Sequence, residues 1–212
     1  MNLKLKNISK TIKKKEILKD VNIEFKSNLI YGIVGENGTG KSVLLKIISG
    51  FYKPSSGFLY LNNNKLNLDD NFLPNSGIFI ENPKFINDLT GYNNLKLLAS
   101  INKKIKDEDI INYLKLFKLY DDKDVLYRNY SLGMKQKLGI IQAIMENPEI
   151  IILDEPFNAL DIKVKNILID YLNNIKENKI IIIVAHYREE IDNICDKIYL
   201  MDNKTLKELK SS

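Results

Sequence analysis

Four short stretches carry residues whose types and spacing could do chemistry. Gly35-Glu36-Asn37-Gly38-Thr39-Gly40-Lys41-Ser42 fits G-x-x-x-x-G-K-[ST]. Glycines at that spacing let a loop that includes Asn37 and Thr39 wrap a phosphate with its N–H groups. Lys41 neutralises phosphate oxygens as a point charge, and Ser42 offers a hydroxyl to Mg2+. Asp154 and Glu155 follow the apolar run "EIIIL" (149–153). Adjacent acids at the end of a buried strand suit two tasks: Asp154 holding Mg2+ directly or through water, and Glu155 orienting and polarising an attacking water. Read alone, the pair could equally be two solvated strand-end acids. His186, the single histidine, ends a second apolar run, "KIIIIVA" (179–185), where it could donate a hydrogen bond to a γ-phosphate or serve the fold alone. In "YSLGMKQ" (130–136) Ser131 opens a helical pattern and Gly133 lies in its first turn. That is either an ordinary N-capped helix or a seat for an anion on bare N–H groups.

The elements that must position these residues follow from the hydrophobic pattern. Residues 2–8 alternate apolar and polar, residues 17–25 read as a second strand, and "LIYGIV" (29–34) is a short apolar run. Val43, Leu44, Ile47 and Ile48 recur at helical spacing and Gly50 stops the pattern, so the glycine loop sits between a strand and a helix, the context the Walker A pattern requires. Strands are expected at 57–61 and 77–81, a helical block from about 89 to 127, and a helix from 131 to about 145. The runs at 149–153 and 179–185 suit strands buried on both faces, with an amphipathic helix between them on Val164, Leu168, Tyr171, Leu172 and Ile175. Alternating strands and helices imply a mainly parallel α/β sheet with ligands at the C-terminal ends of its strands.

Composition narrows the function classes. The chain has 212 residues, 44% hydrophobic and 28% charged, enough for a substantial core as one large domain or two small ones. The longest uninterrupted apolar run, Ile180 to Ala185, is six residues, against the ~20 a membrane-spanning helix needs. Residues 1–20 are lysine-rich without a long apolar block, which argues against an export signal. A single cysteine, Cys195, rules out an internal disulfide, and a cytoplasmic protein is the simplest expectation. The net charge of +5 admits nucleic acid or an anionic membrane, but the lysines are scattered among Asn and Asp. Only Lys13-Lys14-Lys15 forms a run, expected in an exposed turn between two strands.

Taken in order, "GENGTGKS", "IENP", "YSLGMKQKLGI", "IIILDEPFNALD" and "IIIVAH" closely resemble the ATP-binding cassette (ABC) ATPases over nearly the whole chain. "IENP", "LTGYNNL" and "YSLGMKQ" carry a narrower likeness to the stand-alone ATPase subunits of bacterial exporters of the bacitracin-resistance and lantibiotic-immunity type. The resemblance implies an α/β P-loop NTPase fold of the ABC type: a mainly parallel sheet core with an N-terminal antiparallel β region and an inserted α-helical subdomain. The expected organisation is one domain over 1–212, with 1–88 and 149–212 as core and about 89–148 as the helical subdomain. ATP and Mg2+ are the implied cofactors. Two cassettes, identical or different, are expected to pair head to tail, so that Ser131 and Gly133 hold the phosphate bound by the partner's P-loop. Asp161, in "NALD", matches the aspartate that bridges the two sites, and its type also suits an N-cap. Glu81 takes the place of a glutamine that contacts Mg2+ and links the site to the transport subunits. Leu132 and Met134 depart from the commonest signature, S-G-G-Q, as in the exporter subgroup. Ile12 stands where an aromatic usually stacks on adenine, a contact worth ~1–3 kcal/mol per base.

The expected function is therefore ATP binding and hydrolysis for an ABC transporter, an exporter conferring antimicrobial-peptide or drug resistance or similar. It would lie in the cytoplasm, peripheral on the inner face of the cell membrane, and power a separate transmembrane permease subunit. The first alternative is a soluble ABC ATPase acting on nucleic acid or ribosomes. Translation-linked members typically carry two cassettes per chain and DNA-repair members long coiled coils; neither pattern is present, so no nucleic-acid partner is expected. A second is a nucleotide-binding module with little hydrolysis, which intact Lys41, Asp154, Glu155 and His186 argue against.

Overall fold

Alternating apolar and polar residues fold the start of the chain into an antiparallel hairpin. In the computed structural model, which describes residues 1–67, 72–81 and 83–209, β1 (Asn2–Ile12) turns into β2 (Lys15–Lys26) through Lys13 and Lys14. Both turn residues have positive φ (47° and 65°), as a two-residue hairpin turn requires, and the lysine run is exposed. Asn82 of "IENP" lies outside the described residues. The chain continues through β3 (Leu29–Val34), α1 (Lys41–Ile48), β4 (Ser56–Leu61), β5 (Asn64–Lys65) and β6 (Ser76–Phe79). Between β6 and the next strand lie α2 (Gly91–Asn102), α3 (Asp107–Leu116) and α4 (Leu132–Ile144). Then come β7 (Ile150–Asp154), α5 (Ile162–Ile175), β8 (Ile180–Ala185), β9 (Lys197–Asp202) and β10 (Thr205–Leu209).

The strands form two sheets. One is antiparallel, in the order β2-β1-β4-β5; the other runs β10-β9-β3-β8-β7-β6 and is parallel except for the β10–β9 pair. Every residue of β7 and β8 is buried, because both faces of this sheet are covered. Ile151, Leu153, Ile181 and Ile183 face a core built with the helical insert and α5. Ile150, Ile152, Ile180 and Ile182 face a second core built with α1 and the antiparallel sheet. Full burial of each such isoleucine contributes roughly 1.5–3 kcal/mol, so these two strands anchor the fold.

The structure trims several expectations. The strand expected at 77–81 ends at Phe79, and Glu81 adopts φ 54°, outside the extended region. The helical block divides at Lys103, which has φ 55°, and ends at Leu116, after which residues 117–126 form no helix. β5, β9 and β10 have no counterpart in the sequence reading: β9 mixes buried and half-buried residues without a period of two, and its apolar run, Ile198 to Met201, is only four residues.

Register decides where the chemistry gathers. Val34 pairs with Ala185, Asp154 with Val184, and Phe79 with Leu153. The residues that leave these four parallel strands therefore emerge at one sheet edge: the glycine loop, Asp154-Glu155, His186 and Glu81.

Candidate active site

The glycine loop turns β3 into α1 through backbone conformations that favour glycine. Gly35, Gly38 and Gly40 all have positive φ, at 155°, 79° and 108°. Gly40 is the N-cap of α1, and a side chain there would come within 3.3 Å of Ile17 on β2. Thr39 Oγ1 closes the loop by donating to Glu36 O at 2.8 Å, and Asn37 is exposed on the loop's crest. α1 thus presents its free N–H groups, and the positive end of its dipole, to the loop.

Lys41 is buried, and its ammonium donates to Gly35 O at 2.5 Å and Glu36 O at 3.0 Å. Burial holds its pKa below the usual lysine value, against the pull of Glu155 and Asp154. Ser42 Oγ donates to Asp154 Oδ2 at 3.0 Å. Asp154 is 8% exposed, and its Oδ1 is the one buried side-chain polar atom without a hydrogen-bond partner among the described residues. Burial raises the Asp154 carboxyl above the ordinary range; the Ser42 bond lowers it, Glu155 raises it, Lys41 lowers it and Glu81 raises it. A buried ammonium with only carbonyl partners fits an incoming phosphate. A buried carboxylate oxygen with no partner, beside a hydroxyl, fits a divalent cation. Among the described residues no group of three or more His, Cys, Asp or Glu could hold a metal, but Mg2+ shared with phosphate oxygens takes only one or two carboxylates.

Glu155 and His186 meet as their strand ends predict: His186 Nε2 lies 2.7 Å from Glu155 Oε1. Glu155 has φ 49°, a strained value for a non-glycine residue. Two further amides hold it, Asn158 Nδ2 on Oε2 at 2.7 Å and Gln136 Nε2 on its main-chain oxygen at 2.9 Å. A cleft of about 280 Å3 beside these groups is lined by Ser42, Glu81, Leu132, Gln136, Asp154 and Glu155, among others.

The remaining sequence-predicted residues are placed less uniformly. Glu81 lines that cleft, yet its carboxylate pairs with Lys46 on α1 at 2.5 Å. Ser131 N-caps α4, its hydroxyl accepting from Met134 N at 3.2 Å, and is exposed. Gly133 packs so close to the loop after β7 that a Cβ there would lie 2.8 Å from Ala159 O. Asp161 N-caps α5 by accepting from Val164 N at 3.0 Å, and that bond holds its carboxyl below the ordinary range. Ile12 ends β1 opposite Lys15, half-buried, outside the cleft lining.

Gln136, Asn158 and Lys46 were missed. Gln136 had a signal: it lies on the buried face of α4 with Gly139, Ile140 and Ile144, and a polar residue at a core position needs a partner. Asn158 follows Glu155 by three residues, a spacing that puts an amide within reach across a turn. Nothing in the sequence ties Lys46 to Glu81, 35 positions away.

Known proteins resemble this chain along most of its length. A family model described as ABC transporter matches residues 18–158. The uncharacterised ABC transporter ATP-binding protein YybJ of Bacillus subtilis is 38% identical over 191 residues, 90% of this chain and 88% of that protein. The bacitracin transport ATP-binding protein BcrA of Enterococcus faecalis is 33% identical over 94% of this chain and 66% of its own length. The lantibiotic transport ATP-binding protein SrtF of Streptococcus pyogenes is 30% identical over 97% of this chain and 90% of its own. A solved dimeric ATP-binding cassette in a post-hydrolysis state, bound to ADP and phosphate, superposes with a TM-score of 0.85 at 26% identity over 99% of both chains.

Proposed function

The chain belongs to the ABC transporter family, and from that premise we propose that it is the ATP-hydrolysing subunit of an exporter-type transporter, working as one of two paired cassettes on a separate membrane subunit. One observation carries the reading: Lys41, Ser42, Asp154, Glu155 and His186 converge on one sheet edge, joined by the Ser42–Asp154 and Glu155–His186 contacts.

ATP would enter with its phosphates in the loop 35–42, and Lys41 would exchange Gly35 O and Glu36 O for phosphate oxygens. Ser42 and Asp154 Oδ1 are the groups that would hold Mg2+, which when bound offsets negative charge on the β- and γ-phosphate oxygens. Glu155 accepts a proton from a water molecule as that water's oxygen bonds to the γ-phosphorus. The bond from phosphorus to the bridging oxygen breaks, and the electron pair leaves with ADP. His186 donates a hydrogen bond to a γ-phosphate oxygen and keeps it oriented.

On this reading α4 serves the opposite cassette. Its N-terminus at Ser131 is exposed, and bare N–H groups at a helix start favour an anion, which supports Ser131 and Gly133 as contacts to the partner's nucleotide. Asp161 would lie along the same interface. Residues 1–88 and 149–212 would form the core and 89–148 the helical subdomain. An apolar groove of about 530 Å3 between them supports a contact for the membrane subunit; Phe51, Ile86 and Leu97 are exposed along it. The likeness to BcrA and SrtF, named for transport of bacitracin and of lantibiotics, supports the exporter type; a place on the inner face of the membrane goes with the separate membrane subunit proposed here.

The deciding assay is phosphate release from Mg2+–ATP by the purified chain together with the membrane subunit that copurifies with it. Glu155→Gln should keep ATP binding, lose turnover by 10²-fold or more, and accumulate as a dimer. Near-normal hydrolysis by that variant removes Glu155 from its role.

A further inference from the structure

Glu155 is held on four sides, and the scheme above uses only one of the contacts. Its N–H donates to Val184 O on β8 at 2.9 Å. Its carbonyl accepts from Gln136 Nε2 at 2.9 Å and from the Asn158 N–H at 3.2 Å. Oε1 meets His186 Nε2 and Oε2 meets Asn158 Nδ2, each at 2.7 Å. The backbone at φ 49° is a conformation that persists only where the surroundings over-determine it.

We propose that Asn158 and Gln136 are positioning residues for Glu155: Gln136 fixes the main chain from which the side chain rises, and Asn158 fixes the plane of the carboxylate. The inference rests on Glu155 as the acceptor of the water proton. The terminal torsion of a glutamate is broad, so an unheld carboxylate turns freely. A donor on each oxygen removes that freedom, and since a carboxylate has about four lone-pair sites, acceptor capacity remains for water. Once a γ-phosphate draws His186 away from Oε1, Asn158 is the side-chain donor still on the carboxylate. Orientation matters at this level: an error of about 1 Å costs on the order of 10²-fold in rate.

The two amides come from different parts of the fold. Gln136, 4% exposed, lies one turn beyond Ser131 on α4, so the helix start proposed to meet a partner's phosphate is tied to the base of its own chain. Asn158 is exposed. The turn at 155–158 is already closed by the main-chain bond from Asn158 N, so the side chain is not needed to form it. Exposed substitutions of this kind leave stability nearly unchanged. A loss of turnover in Asn158→Ala is therefore a loss of positioning or of pairing between cassettes, and a double-mutant cycle separates the two.

The experiment measures steady-state and single-turnover ATP hydrolysis on the assembled transporter, in the parent and Glu155→Gln backgrounds. In the parent, Asn158→Ala and Gln136→Leu should each lower kcat about tenfold or more with KM for ATP within about twofold, and Asn158→Ser, which retains a donor, should recover part of the rate. In Glu155→Gln, the same Asn158 change should alter residual turnover by less than about twofold, because its target is gone. Equal fold-losses in both backgrounds, or undiminished kcat for Asn158→Ala in the parent, overturn the inference while leaving Glu155 as the base. Normal turnover by Glu155→Gln alone instead removes the base itself and the inference with it.

Discussion

Ser42 Oγ donates to Asp154 Oδ2 at 3.0 Å, joining the start of α1 to the end of β7 across 112 positions of sequence. The bond satisfies one carboxylate oxygen and leaves the other buried without a partner among the described residues. Burial is the main cause that raises the Asp154 carboxyl above its ordinary value of 3.8. The folded chain therefore holds this proton more tightly than the unfolded chain. Asp154 favours folding most at low pH, and that contribution is lost as pH rises from about 3.8 through the raised folded value. At neutral pH the ionised group is a burden until a cation joins it. Asp154→Asn should therefore raise the neutral-pH Tm of the nucleotide-free chain, because the amide has no charge to bury. It should also cancel the extra stabilisation from Mg2+–ATP. Thermal melts with and without Mg2+–ATP check both, and a lowered nucleotide-free Tm would contradict the argument.

The Lys46–Glu81 pair makes a different prediction. Glu81 lines the cleft beside Asp154 but its carboxylate sits on Lys46, and the Glu81 side chain is 62% exposed. Exposed pairs contribute only ~0–1 kcal/mol, so the contact can be exchanged at little cost. If Glu81 leaves Lys46 to join Mg2+, Lys46→Met should lower the Mg2+ concentration needed for half-maximal hydrolysis by several-fold, with a Tm change of a few degrees at most. An unchanged Mg2+ requirement would mean that Glu81 does not reach the cation.

These cases show what the sequence made legible. The runs Ile150–Leu153 and Ile180–Ala185 could be read because both faces of β7 and β8 are covered, which makes every residue of those two runs apolar. The edge where Asp154, Glu155 and His186 gather followed, because they are the first polar residues after those runs. β9 and β10 escaped because half-buried residues blur their pattern. Glu81 was legible as a position but not as a contact: its φ of 54° turns it out of the strand direction and onto Lys46, a partner fixed only by tertiary packing. Gln136 is the same case, since its value lies in meeting Glu155 O across two elements.

Ser131 separates a capping role from a phosphate-binding role. Its hydroxyl caps α4 through Met134 N, so Ser131→Ala alone should cost ~0.5–2 kcal/mol of stability, which would confuse an activity loss. Ser131→Asp keeps a capping oxygen and adds a negative charge where the partner's γ-phosphate is proposed to sit. It should melt within a few degrees of the parent, bind ATP normally, and lose turnover by 10²-fold or more. Mixing it with Lys41→Ala, whose defect lies in the P-loop, should restore part of the activity, because one composite site of the mixed pair then holds both an intact Ser131 and an intact Lys41. Wild-type turnover by Ser131→Asp, or mixtures no more active than either variant, would dismiss the shared site.

Ile12 concerns the base rather than the phosphates. It ends β1 opposite Lys15, and the hairpin it closes passes beside the phosphate loop, with Ile17 and Leu18 of β2 packed against Gly40. A branched aliphatic can pack on a purine face but lacks aromatic stacking, so this chain should bind adenine weakly and discriminate poorly between ATP and GTP. Ile12→Tyr should tighten ATP binding by up to ~1–3 kcal/mol, roughly 5- to 150-fold, with a smaller gain for GTP. The change should not disturb the fold, because Ile12 is only half-buried and tyrosine suits a strand. Competition of ATP and GTP for a fluorescent nucleotide on both proteins measures the effect; equal affinities and selectivities would show that this position does not touch the base.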